Sequence, residues 1–166
     1  MRNDGLSSPP TLRPATPADV PLILGFIREL AAYEHLEDQV VATESLLAEQ
    51  LFGPRPGAEV VIAEVDGSAV GFALFFHNFS TFLGRRGLFL EDLYVQPQAR
   101  SLGIGKALLR HLAGLAVARG CGRMDWNVLD WNEPAIGFYK KLGADVLPDW
   151  RTCRVTGDSL QALARG

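Results

Sequence analysis

The chain has 166 residues, of which 48% are apolar and 21% charged, with a net charge of −3. That is enough apolar material for one domain with a sizeable core, and the negative balance without a basic cluster argues against nucleic acid as a partner. No apolar run approaches the roughly 20 residues of a membrane span, and the N-terminus lacks the basic-then-apolar pattern of a secretory signal. Two cysteines, Cys121 and Cys153, are too few and too far apart for a disulfide framework or a zinc ribbon. A cytoplasmic location without membrane attachment is therefore expected.

Residues 1–10, with Gly5 and paired serines and prolines, read as a polar tail, and residues 11–166 as a single domain. Thr11–Pro14 is a short edge strand. Thr16-Pro17-Ala18-Asp19 has helix-start chemistry, with a cap, Pro at the first helical position and an acid in the first turn. Leu22, Ile23, Phe26, Ile27 and Leu30 then recur at helical spacing to about Tyr33. An acidic loop, Glu34–Asp38, precedes a second helix from Thr43-Glu44 to Gly53-Pro54. Glu59–Val65 and Ala69–His77 are β-rich runs joined at Asp66-Gly67, a hairpin signal. Gly84–Gly87 reads as a further turn.

The apolar run Leu88–Val95 follows, a strand that carries two acids, Glu91 and Asp92, and ends at Pro97. An acid in so apolar a run is expected to be buried for a reason, and alternation sends Asp92 to the face opposite Glu91. Arg100-Ser101-Leu102-Gly103-Ile104-Gly105-Lys106 then runs into a helix that ends at Gly120. Glycines at a helix mouth allow close backbone approach, and the N–H groups of the first turn favour an anion, so the segment reads as a phosphate cradle. Arg123–Leu129 is a strand that must run parallel to Leu88–Val95, because a helix crosses between them. Trp131-Asn132-Glu133-Pro134 starts a short helix through Lys141, Ala144–Leu147 and Arg151–Thr156 suggest a hairpin, and Ser159–Ala164 a terminal helical turn. The order predicts an α/β (α+β) fold: a mixed, mostly antiparallel sheet with a central parallel β-α-β unit, flanked by helices.

The motif Arg100-x-x-Gly103-x-Gly105 at a strand-to-helix junction resembles the coenzyme A pyrophosphate loop of the GCN5-related N-acetyltransferases. Ala31-Ala32-Tyr33-Glu34, Leu90–Val95, Trp131–Ala135 and Phe138–Ala144, in this order, look like the diamine (spermidine/spermine) and thialysine acetyltransferase branch. Ser101 stands where that branch usually has Gly, and the segment between Gly143 and Trp150 is shorter than in the polyamine enzymes.

The resemblance implies an acetyl-CoA-dependent N-acetyltransferase that joins acetyl to a small cationic amine, a polyamine or a thialysine-like acceptor, by direct attack in a ternary complex. It implies a homodimer as well. Backbone N–H groups from Ser101 through Leu102, Gly103, Ile104 and Gly105 to Lys106 would hold the pyrophosphate, with charge from Arg100 and Lys106. The pantetheine arm would pair with Leu93, Tyr94 and Val95 as an added strand, and Asn132 would give a side-chain amide. Tyr139 would protonate the departing thiolate, while Glu91, through a water, would take the proton of an ammonium. Tyr33, Glu34, Glu91, Asp125 and Trp126 match positions that line the amine pocket, where carboxylates and an aromatic face suit a cation.

The cysteines have no neighbouring base in the sequence and read as buried structural thiols, and His35, His77 and His111 show no metal spacing, so no metal is implied. A dinucleotide fingerprint fails because its third glycine falls at Leu108, and a nucleotide-triphosphate loop fails because Ala107 follows Lys106. A non-catalytic coenzyme A sensor or scaffold is the alternative from another class. Such a binder needs neither Glu91 nor Tyr139.

Overall fold

The computed structural model describes residues 9–166, so most of the predicted tail lies outside the described residues. The contacts divide the chain into two compact units, one up to Asn127 and one from Val128 to Gly166.

The first unit is a five-stranded sheet in the order β1-β2-β3-β4-β5. β1 (Thr11–Pro14) pairs with β2 (Glu59–Val65), β2 with β3 (Ser68–Ser80) and β3 with β4 (Arg85–Val95), all antiparallel. β5 (Met124–Trp126) pairs with β4 in parallel. The β2–β3 turn places Asp66 and Gly67 at φ 50° and 79°, the double left-handed conformation that an Asp-Gly hairpin favours.

Helix α1 (Val20–Tyr33) follows a 3-10 turn at Pro17–Asp19, and α2 (Glu44–Phe52) is capped by the Thr43 hydroxyl, which accepts from Leu46 N–H. Ile23 and Phe26 from α1 and Leu51 from α2 pack with Val60, Ile62, Phe72 and Tyr94 of the sheet. Phe26 stacks on Phe72 with ring centres 5.6 Å apart. The alternate β2 residues Val61 and Ala63 are buried too, so both faces of β2 are covered. Helix α3 (Ile104–Ala118) packs against β2, β3 and β4, with Ile104, Leu108 and Leu112 fully buried. An ion cluster fixes the start of the chain to the sheet: Arg13 bonds Asp19 at 2.8 Å and Glu64 at 2.7 Å. No helix among the described residues is long and apolar enough to cross a membrane.

The second unit holds α4 (Glu133–Lys141) and α5 (Gly157–Arg165) and buries none of its helical residues.

Three expectations need correction. The turn between β3 and β4 lies at Thr81–Gly84, because β4 begins at Arg85 and both strands extend further than their apolar runs. Strand β5 covers only Met124–Trp126 of the expected Arg123–Leu129. The expected hairpin at 144–147 and 151–156 does not form: the segment carries Pro148 and several charges, and Val146, Leu147, Trp150 and Val155 stay exposed. An isolated two-stranded hairpin with no covered apolar face is marginal in water. The terminal helical turn, by contrast, is longer than expected.

Candidate active site

Beyond Leu90, β4 loses its neighbour. β5 pairs only with Leu88–Leu90, and among the described residues no strand pairs with the same edge from Glu91 to Val95. That edge therefore offers backbone donors and acceptors to an extended ligand. It leads through Gln96 and the 3-10 turn Pro97–Ala99 into the loop that opens α3.

Ser101 and Gly103 both take left-handed backbone, at φ 71° and 78°, with Gly103 as the cap of α3. The first α3 bond in the helix ladder runs from Ala107 N–H to Gly103 O at 2.9 Å. The N–H groups of Ile104, Gly105 and Lys106 precede that bond and so belong to the turn whose donors have no intrahelical acceptor. A cradle of this kind, next to an open strand edge, fits a ligand with a diphosphate at one end and an amide-bearing arm at the other. Lys106 is exposed beside it, Leu102 is half-buried and Ile104 anchors the helix in the core. Arg100 is turned back: its Nε donates to Val95 O at 3.0 Å, and its guanidinium lies over Tyr33 and Tyr94.

The two acids of β4 occupy different surroundings. Pairing places Asp92 opposite Leu74 and Leu90 opposite Phe75, so Glu91 is an extra residue without a cross-strand partner. Glu91 is exposed and does not have the burial expected of it, whereas Asp92 is half-buried. The bulge changes the phase of β4. Leu74 and Tyr94 both belong to the cluster under α1, and Asp92, opposite Leu74, shares that side. Burial, with Glu91 and Glu34 adding repulsion, pushes the Asp92 carboxyl up to about 6. Glu34, at the C-terminal end of α1, is also pushed upward by burial. Glu34, Glu91 and Asp92 thus gather negative charge beside the open edge, a setting that favours a cation.

Asp92 is the residue that sequence reasoning set aside, and its only early signal was the doublet with Glu91. Tyr94, whose backbone lies on the edge, turns its ring into the core 6.0 Å from Phe26, and its hydroxyl titrates upward through burial and a hydrogen bond with Glu29. Asp125 is bound by its neighbour Arg123 at 2.9 Å, and Trp126 stands opposite Leu90 in the parallel pair. Tyr33 is 40% exposed at the end of α1.

In the second unit, Asn132 caps α4, with its side-chain oxygen accepting from Ala135 N–H. Tyr139 lies on the same helix, half-buried, its ring 5.5 Å from that of Phe138. Pro134 fits the first turn, and Lys140 and Lys141 suit the negative end of the helix dipole. Cys121 and Cys153 are free thiols but not the buried ones expected: Cys121 is half-buried with His77 Nδ1 3.8 Å from its sulfur, a neighbour 44 residues away in the sequence, and Cys153 is exposed.

Residues 27–144 match the profile described as the Acetyltransferase (GNAT) family. A thialysine N-epsilon-acetyltransferase of Sus scrofa is 38% identical, over 92% of this chain and 96% of that protein. An L-ornithine N5-acetyltransferase of Arabidopsis thaliana is 36% identical, over 92% of this chain and 86% of that protein. Among solved structures, an integron cassette protein from the mobile metagenome of V. cholerae superposes with a TM-score of 0.80 at 29% identity, covering 96% of this chain and all of that one.

Proposed function

The chain belongs to the acetyltransferase (GNAT) family, in its thialysine/diamine acetyltransferase-like branch, and from that premise we propose that it moves acetyl from acetyl-CoA to the primary amine of a small cationic acceptor, polyamine or thialysine-like. It is an N-acetyltransferase, and transfer to amines is the chemistry of its relatives. The cationic acceptor rests above all on one observation, the carboxylates of Glu34, Glu91 and Asp92 gathered beside the open edge of β4.

Acetyl-CoA would supply the thioester. Leu93, Tyr94 and Val95 would bind its amide arm by backbone pairing, and Ser101 to Lys106 with Arg100 would bind its diphosphate, while Asn132 would add an amide contact. Tyr33, Glu34 and Trp126 would hold the acceptor's positive charge, with Asp125 contributing as far as Arg123 leaves it unpaired. An ammonium with a pKa near 10 must lose a proton before it attacks. Exposed Glu91 suits a base that works through water, and the raised Asp92 carboxyl next to it suits a relay for the same proton. Tyr139 would return a proton to the departing thiolate.

Direct transfer also has a covalent rival at a thiol: Cys121 Sγ lies 3.8 Å from His77 Nδ1, but that nitrogen faces the Gly87 carbonyl at 3.0 Å, so it carries the ring hydrogen and is not a base toward the thiol. The same proposal includes a single catalytic domain over residues 11–166, a cytoplasmic location and a homodimer. Exposed Phe79, Phe82 and Leu83 at the β3–β4 turn support an oligomer.

Labelled acetyl-CoA with a panel of spermidine, putrescine, thialysine, ornithine and lysine, read by mass spectrometry, tests the proposal. Label on one cationic amine and none on the protein is expected. Acetyl on Cys121 or Cys153 that passes to amine would overturn direct transfer, and an unlabelled panel would overturn the acceptor class.

A further inference from the structure

Arg100 serves two places that the proposed reaction needs separately. Its Nε donates to Val95 O at 3.0 Å, and Val95 is the last residue of the open β4 edge. Its Cζ stands 4.9 Å from the centre of the Tyr33 ring and 5.8 Å from that of Tyr94. The Tyr94 ring is fixed in the core, packed on Phe26 and bonded to Glu29. Tyr33, at the exposed end of α1, is the aromatic face that a substrate ammonium would use, and a guanidinium already lies on it.

On the reading that Ser101 to Lys106 bind the coenzyme, we infer that Arg100 is an internal stand-in for the acceptor's ammonium, held on Tyr33 until the coenzyme's diphosphate draws it toward the mouth of α3. Arg100 lies three residues before the cap, Gly103, and in this exchange its guanidinium leaves Val95 O and the Tyr33 ring for the mouth of α3. A charge-assisted bond to a diphosphate is stronger than a stack on an exposed ring, which sets the direction of the exchange. The move uncovers two groups together: the Val95 carbonyl for the coenzyme's amide arm and the Tyr33 face for the amine. Coenzyme and acceptor therefore strengthen each other's binding, and by linkage the coupling is reciprocal. Arg100 acts here as a positioning residue, since the benefit reaches the acceptor through Tyr33.

Desulfo-coenzyme A binding, measured by calorimetry on the wild type, Tyr33→Leu, Arg100→Ala and the double variant, tests the exchange. Tyr33→Leu removes the competing seat, so the probe is expected to bind roughly two- to fivefold tighter. The same change in the Arg100→Ala background leaves affinity unaltered, the signature of two residues acting through one contact. Tyr33→Phe keeps the ring face and matches the wild type, which separates the stack from any effect of the hydroxyl. An unchanged affinity in Tyr33→Leu, or a gain that persists without Arg100, would overturn the stand-in role. Failure of the wild type to bind the probe is a distinct result and would overturn the coenzyme reading beneath it.

Discussion

At neutral pH the Asp92 carboxylate is charged in a place that disfavours the charge. Its folded pKa of about 6 lies above the ordinary carboxylate value near 4, so the folded state holds its proton more tightly than the unfolded one. The penalty is absent below about pH 4, grows as pH rises toward 6, and is fully present above it. Asp92→Asn is therefore expected to stabilise the protein by about 1–3 kcal/mol at pH 7.5 and by much less at pH 4, with acetyl transfer reduced at both. Thermal melts at the two pH values check this, and equal shifts at both would contradict it. Tyr139→Phe tests the proposed return of a proton to the departing thiolate. It should lower kcat about a hundredfold or more while desulfo-coenzyme A affinity stays within about twofold. Parallel losses in both would make Tyr139 a packing residue. The relation between Glu91 and Asp92 was hidden in the sequence, because the bulge exists only in the register against Leu74 and Phe75. A strand read alone shows two adjacent acids and cannot show which of them the partner strand leaves over.

Local chemistry sets the boundaries of the elements, and there the sequence is a good guide. Thr16, Thr43, Gly103, Gly120 and Gly143 mark ends that the structure keeps, with the three glycines in left-handed backbone. Asp66-Gly67 and the apolar runs of β2 and β4 are legible for the same reason. The short β5 and the missing final hairpin are not, since strand length depends on what lies alongside. Ser101 in left-handed backbone is strained where glycine would not be. Ser101→Gly should raise stability by up to about 1 kcal/mol, and Ser101→Val should lower it by more than about 1 kcal/mol. Denaturant midpoints decide, and the reverse order would mean that the loop is not held in this conformation. At the other end of the unit, Arg13 and the Thr16 N–H hold the Asp19 carboxyl down at about 2. A lowered carboxyl contributes stability that is present above about pH 4 and lost as pH falls through 2. Arg13 is a third exposed, so the contribution is about 1–2 kcal/mol. Asp19→Asn should cost that much at pH 7 and almost nothing at pH 2; a pH-independent cost would assign it to the helix start alone.

At the scale of the whole molecule, the fold class follows from element order: hairpin-linked strands must be antiparallel, and a helix between Val95 and Met124 makes β4 and β5 parallel. The parallel pair then ends early, and its ending creates the open edge, a feature that no single residue announces. Acids, edge and anion cradle meet there because β4, the loop and α3 are consecutive in the chain. The proposed acceptor groups are less legible, because Tyr33 and Glu34 come from the end of α1 and Trp126 from β5, which the sequence keeps far apart. One measurement addresses the central claim most directly: steady-state release of the coenzyme A thiol from acetyl-CoA with thialysine, ornithine or spermidine, against neutral hydroxyl analogues of the same length. Saturable release with a cationic amine, and none with the neutral analogues, is expected of an acid-lined amine acetyltransferase. Silence with every amine, or equal turnover of charged and neutral compounds, would contradict it.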